Sequence, residues 1–345
     1  MQPRCIKVDK KVLPHDEHAA LELLFDYFSD FVLDIEEAKD HYLLQLVRSS
    51  FAYCEDLSRG LNWLRLRHKD IADFHVVGGK SFLCLLESWI PYGWSSFMAC
   101  SLHLPRGLTV IHLDDHTDLM SPKICTSGGN WTDLFTGDAV DFSAPESIRN
   151  AVESGAITLG SMLTPLIHYL DRVDIIHIKQ NSQRTKRSIE KTTRPDSIID
   201  PTKERLCINL LEEPVNTPKS AGTYLATPSL ANALQEIRAE DDLFLHVDMD
   251  FFNNRYDGST SWEGEPVRHD PDLLAQTSAI KEFCQCLCSA DLIHRIAHVS
   301  IGLSPSFYPA EYWEDGVLCL LNEFEAMNLE VSPEVARACS LPSRD

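Results

Sequence analysis

No stretch of this 345-residue chain approaches the roughly 20 consecutive apolar residues that a membrane-spanning helix requires. The opening residues, MQPRCIKVDKKVLPHDEH, also lack the apolar core of a secretory signal, so the expected location is the cytoplasm. Cationic residues are scarce: 31 Lys and Arg stand against 52 Asp and Glu, a formal charge of −21. Nucleic-acid partners are not expected, because phosphate contacts need a basic footprint. The same acidity suits a cationic substrate, whose encounter with a negative cleft is accelerated. The eleven cysteines include no CxxC pair, which removes the usual thiolate zinc site and points to reduced, mostly buried thiols. No internal repeat is evident.

Strand-like and helix-like segments alternate along most of the chain, which implies a mainly parallel sheet covered by helices, an α/β/α arrangement. Helical spacing is read over Glu17–Tyr27 and Ile35–Ser49, giving an N-terminal helical section (1–70) packed on an α/β core (71–345). Within the core, a helix is expected from Gly79 through Trp89. Further helices are expected over Pro145–Glu153, Leu159–Leu170, Ser229–Arg238, Pro271–Ser289 and Glu311–Met327, and strands over Val173–Lys179 and Ile296–Leu303. The segment at about 180–205 breaks the rhythm. It gathers Arg184, Lys186, Arg187, Lys191, Arg194, Lys203 and Arg205 in an otherwise acidic protein. A hairpin insertion is one reading; a docking element for an acidic segment of a precursor peptide is the other.

Chemistry concentrates at the ends of two apolar runs. Leu108–Leu119, LTVIHLDDHTDL, closes in Asp114, Asp115, His116 and Asp118. Leu243–Phe252, LFLHVDMDFF, closes in Asp248 and Asp250. Such runs read as buried parallel strands, and open α/β sheets bind ligands just beyond the carboxyl ends of their strands. Strand side chains alternate faces, so Asp248 and Asp250 should project to one side, with His246 on that face as His112 is relative to Asp114. Clustered carboxylates repel and desolvate one another unless a cation neutralises them. Asp114, His116, Asp118, Asp248 and Asp250 thus form a candidate ligand set, rich in hard oxygen donors with one imidazole. That chemistry suits Mn²⁺ better than a structural zinc.

Asp-x-His-x-Asp followed by Asp-x-Asp resembles the ureohydrolase superfamily of arginase and agmatinase, over roughly Val76 to Pro309. Within it, DDHTDL…HVDMDFFNN is similar to the branch of peptide arginases. The resemblance implies a three-layer α/β/α arginase-like fold and two Mn²⁺ ions. Asp114 and Asp248 would bridge the ions, Asp118 would bind one, and His116 and Asp250 the other. It implies hydrolysis of arginine inside a ribosomally made precursor peptide to ornithine and urea, during natural-product peptide maturation. The alternatives left open are a hydrolase of a free guanidino compound, a mononuclear deacetylase-type amidohydrolase and a non-catalytic peptide-binding module.

Three departures accompany the resemblance. HVVGGKSF carries Lys80 where the superfamily places a metal-binding histidine, so one ion is either held more weakly or served by His75 from the strand. The loop TSGGNWTD keeps Ser127 and Asn130 as substrate contacts but lacks the family's histidine. Gly302 stands near where arginases carry a guanidinium-binding glutamate, leaving Glu263, Glu265 and Glu311 as candidates for that role. The loop Asn253–Asp270 follows the second metal strand directly. From it Tyr256, Trp262 and Glu265, with Trp131 from the earlier loop, are expected to line the substrate mouth, and His269 is the candidate proton donor.

Overall fold

The computed structural model describes residues 4–28, 31–48, 54–101, 107–180, 182–212, 220–259 and 269–339. The N-terminal section opens with strand β1 (Arg4–Asp9), helix α1 (Glu17–Tyr27) and strands β2 (Phe31–Glu37) and β3 (His41–Arg48). The three strands form an antiparallel sheet in the order β1-β3-β2. This corrects the helix expected over Ile35–Ser49. In HYLLQLV, Tyr42, Leu44 and Leu46 are buried while Leu43 and Val47 are exposed, a period of two that fits a strand and not a helix. Asp16 caps α1 by accepting from the backbone N–H of Ala19, as the acid before its first turn suggests.

The remaining elements follow in order. They are α2 (Leu57–Trp63), β4 (His75–Gly78), β5 (Ser81–Cys84), α3 (Ile90–Cys100), β6 (Leu108–Leu113), β7 (Ile124–Ser127), β8 (Asn130–Asp133) and β9 (Ala139–Val140). Next come α4 (Pro145–Ser154), α5 (Leu163–Tyr169), β10 (Val173–Ile178), β11 (Thr185–Pro195), β12 (Glu204–Leu211) and β13 (Ser220–Thr227). The chain closes with β14 (Asp242–Asp248), α6 (Leu273–Ser289), β15 (Ile296–Gly302), α7 (Trp313–Ala326) and α8 (Pro333–Cys339).

Together they build an α/β fold around one mixed sheet of twelve strands, ordered β4-β5-β15-β14-β6-β10-β13-β11-β12-β7-β8-β9. From β5 to β13 in that order the pairings are parallel; beyond β13, and between β4 and β5, they are antiparallel. The central strands are buried on both faces, as parallel strands require. Ile111, Leu113, Leu245 and Val247 join one apolar cluster with Ile280 and Phe283 of α6 and Val317 and Leu320 of α7. Leu108, Val110 and Phe244 join a second with Trp94 of α3, Ile148 of α4 and Leu166 of α5.

Two further expectations give way. The stretch after Gly79 is not a helix but the hairpin partner β5, a 3₁₀ turn over Glu87–Trp89, and only then α3, which starts with Pro91 in its first turn. Ser229–Arg238 forms two short 3₁₀ turns, Leu230–Asn232 and Leu234–Glu236. The basic segment is a hairpin: β11 pairs with β12 and is woven into the sheet. Its Arg205 is buried against Asp196 at 3.1 Å, and Asp196 accepts from the Tyr27 hydroxyl at 2.6 Å. With Ile198 packed among Val8, Leu24 and Leu44, this ties the N-terminal section to the sheet.

Candidate metal centre

β6 and β14 are parallel neighbours with His112 opposite His246 and Leu113 opposite Val247. The next residues, Asp114 and Asp248, therefore emerge side by side at the carboxyl ends of two central strands. Beyond Asp248 the chain leaves the strand in a 3₁₀ turn, whose Asp250 N–H donates to Asp248 Oδ1 at 3.1 Å. Asp118 adopts left-handed backbone (φ 49°), a conformation that Asp tolerates better than most residues. All four carboxylates are buried.

Their oxygens converge. His116 Nδ1 lies 3.0 Å from Asp250 Oδ2 and 3.4 Å from Asp114 Oδ1. A fifth carboxylate, Glu87, enters from the 3₁₀ turn that follows β5, and it too is buried. The absence of a side chain at Gly302 makes this possible: a Cβ there would stand 2.9 Å from Glu87 Cγ. Glu87 Oε1, Asp114 Oδ2 and Asp118 Oδ2 are buried without a hydrogen-bond partner. Unpaired buried acceptors of this kind are costly, and a cation satisfies several at once. Asp114, His116 and Asp250 can hold a metal ion, as can Glu87, Asp114 and Asp248; His112, Asp114 and His246 make a third such group. The donors fit a hard divalent cation.

Electrostatics agree. Burial, then repulsion from neighbouring carboxylates, pushes the acids of Asp114, Asp248 and Glu87 well above the usual range. Burial raises Asp118 to about 6. Burial works against charge on His116, but hydrogen bonds to Asp114 and Asp250 outweigh it and hold its pKa far above that of free imidazole. Without a cation, the site must carry protons.

Outside the ligand set, Ser304 Oγ donates to Asp248 Oδ2 at 2.7 Å. His116 Nε2 donates to Asp257 Oδ1 at 3.2 Å, and the Phe307 ring meets the imidazole edge-on. Asn254 steadies this turn, accepting from Asp257 N–H and donating to Asp115 Oδ2, both at 2.9 Å. Above the carboxylates opens a cavity of about 220 Å³. It is lined by Glu87, His116, Thr117, Asp118, Met120, Leu159, Gly160, Asp248, Asp250, Ser304 and Phe307. Among the described residues, neither Lys nor Arg lines it.

The other expected site residues fall elsewhere. His75 stacks on Trp89 with ring centroids 4.1 Å apart and bonds the Asp73 carbonyl, so it belongs to an aromatic cluster and not to the ligand groups. Lys80 lies in the β4–β5 turn beside Glu330, on the opposite side of β5 in sequence from Glu87. Ser127 and Asn130 flank the tip of the β7–β8 hairpin, whose two glycines take positive φ (58° and 86°), and neither lines the cavity. Trp131 packs against His168 and the second apolar cluster. Tyr256 is fully buried, its hydroxyl accepting from Glu55 N–H at 2.9 Å, so it cannot cover a substrate. Glu311 is held by Arg255 at 2.6 Å. His269 bridges to Asn254; burial lowers its pKa, and it is not among the lining residues. Trp262, Glu263 and Glu265 lie outside the described residues. In the basic hairpin, Arg184 and Lys186 both pair with Glu236, and Arg205 donates to the Pro122 carbonyl at 2.9 Å.

Glu87, Ser304 and Asp257 were missed. Glu87 obeys the rule that found the others, an apolar strand (SFLCLL) ending in an acid, but the expected helix over that stretch hid it. Comparison of the chain with protein-family models gives no match, and neither does comparison with curated proteins.

Proposed function

We propose that this protein is a Mn²⁺-dependent hydrolase of the peptide arginase type, with the three-layer arginase-like fold. It would convert arginine within a precursor peptide to ornithine and release urea. The observation that carries this reading is the juxtaposition of Asp114, His116 and Asp118 with Asp248 and Asp250, with Asp114 Oδ2 and Asp118 Oδ2 buried without hydrogen-bond partners. Glu87 supports two ions over one, since the two groups Glu87–Asp114–Asp248 and Asp114–His116–Asp250 share only Asp114. Bound there, the cations supply Lewis acidity and make a nucleophile of water near neutral pH.

The chain's own contribution is charge, orientation and exclusion of water. A planar guanidinium entering the cavity meets carboxylates, whose negative charge favours its positive one. Met120, Leu159 and Phe307 line the same cavity and suit the alkyl stem of an arginine side chain. No lysine or arginine among the described lining residues stands ready for a substrate α-carboxylate. That supports arginine inside a peptide over the free amino acid. Comparing kcat/KM for a capped arginine peptide and for free arginine tests the substrate class. The expected result favours the peptide; a clear preference for free arginine returns the reading to a free-guanidino hydrolase.

A further inference from the structure

Three histidines cross the sheet one step below the strand-end carboxylates: His177 on β10, His112 on β6 and His246 on β14, in register. All three are fully buried. Their hydrogen bonds determine which nitrogen of each ring carries the proton. His177 Nε2 lies 3.0 Å from the Asp114 carbonyl, which only accepts, so Nε2 donates and Nδ1 accepts from the Tyr224 hydroxyl at 2.6 Å. His112 Nε2 lies 3.2 Å from the His116 carbonyl and donates in the same way. The other nitrogen of a neutral His112, Nδ1, is then a bare lone pair. It faces His246 Nδ1 at 2.8 Å, a contact that binds only if His246 Nδ1 bears the hydrogen. Complete burial against the His112 ring disfavours charge on His246. A neutral His246 with its hydrogen on Nδ1 has its lone pair on Nε2.

That lone pair faces Glu87 Oε1 at 2.9 Å, and both atoms are buried without a hydrogen bond. Glu87 is also within hydrogen-bonding reach of Asp248. Without a cation, a proton retained by Glu87 bridges the pair; two bare acceptors face to face would repel, so a bound cation can take that proton's place. Donor atoms each roughly 2.1 Å from one cation, at right angles, stand about 3 Å apart. The observed spacing matches that of two adjacent ligands.

We infer that His246 Nε2 is a metal ligand acting beside Glu87, which gives the centre a second imidazole nitrogen besides that of His116. This assignment rests on the proposed metal centre. It answers the departure at Lys80: nitrogen comes not from the loop after β4 but from β14, two residues before Asp248. It also gives the histidine row a purpose, because each ring's tautomer is set by the next until the last one presents a lone pair.

Pulsed electron paramagnetic resonance of the Mn²⁺-loaded full chain, carrying ¹⁵N-labelled histidine, tests the assignment without altering the protein. Two histidine nitrogens should couple to Mn²⁺ in the wild type. His116→Ala should leave one coupling and His246→Gln the other. By calorimetry, His246→Gln should weaken Mn²⁺ binding by at least the ~10–100-fold that loss of an outer partner costs. A single nitrogen coupling in the wild type, unchanged in His246→Gln, overturns this assignment and makes Glu87 the proton donor to His246. A wild-type chain that binds no divalent cation overturns the metal-centre reading itself.

Discussion

Asp257 accepts a hydrogen bond from His116 Nε2 at 3.2 Å, while the opposite nitrogen of the same ring faces Asp250 and Asp114. A carboxylate behind an imidazole fixes its tautomer and raises its strength as a ligand. Asp257→Asn should therefore weaken Mn²⁺ binding by about 10–100-fold. The metal-free fold should be unaffected, because the Asp257 side chain is 44% exposed. Calorimetric titration with Mn²⁺, beside thermal melts in chelator, checks both parts.

Asp250→Asn and His116→Ala should each abolish hydrolysis while leaving the chain folded. Either change removes a donor from the group that shares Asp114, and Asp250→Asn also relieves crowding among buried acids. The metal-free melting temperature of Asp250→Asn should stay near that of the parent, the lost contact with His116 being offset by relieved repulsion on Asp114. Near-normal turnover with unchanged Mn²⁺ content in either variant would refute the ligand assignment.

Above about 6.5, the ordinary pKa of histidine, the metal-free chain should lose stability as pH rises through the raised pKa values of its buried acids. Asp114, Asp248 and Glu87 hold protons well above the usual carboxylate range, through burial first and mutual repulsion second. In that window the folded chain binds more protons than the unfolded one, so unfolding becomes easier with each step in pH. His177 and His246, lowered by burial to about 4 and about 3, act in the opposite sense but only below that window. Mn²⁺ replaces the protons, so its stabilising effect should grow with pH. Melts in Mn²⁺ and in chelator across the window measure this directly.

The buried Arg205–Asp196 pair links the basic hairpin, the N-terminal section and the loop after Asp118, through Tyr27, Ser121 and Pro122. Asp196→Ala leaves the guanidinium buried without its counter-charge and should cost about 3–5 kcal/mol. Tyr27→Phe removes one hydrogen bond to that charged group and should cost about 1.5–3 kcal/mol. Denaturant titrations distinguish the two magnitudes.

The two acid-ended strands were legible because apolar runs and acidic ends are written contiguously, and parallel pairing brings like ends together. What lay hidden depended on contacts distant in sequence. Gly302 reads as a missing glutamate until its empty face proves to admit Glu87. Ser127 and Asn130 kept a familiar local pattern, yet β7 pairs with β12 far along the sheet order and carries them away from the cavity lining. The second N-terminal helix failed on periodicity: a half-buried strand with some apolar residues on both faces imitates helical spacing over a short window. Tyr256 looked like a surface aromatic, but its hydroxyl is used by the Glu55 backbone inside the fold.

Hydrolysis of a peptidyl guanidinium at the Asp114–Asp248 strand ends leaves a mass signature. Mass spectrometry of an arginine-containing peptide incubated with the Mn²⁺-loaded protein reads it. The expected result is a loss of about 42 Da, the CH₂N₂ unit removed when water converts arginine to ornithine, with one urea released per event. This loss should disappear in chelator and in Asp250→Asn. An unchanged peptide mass with Mn²⁺ demonstrably bound, across peptides presenting arginine in varied contexts, would contradict it.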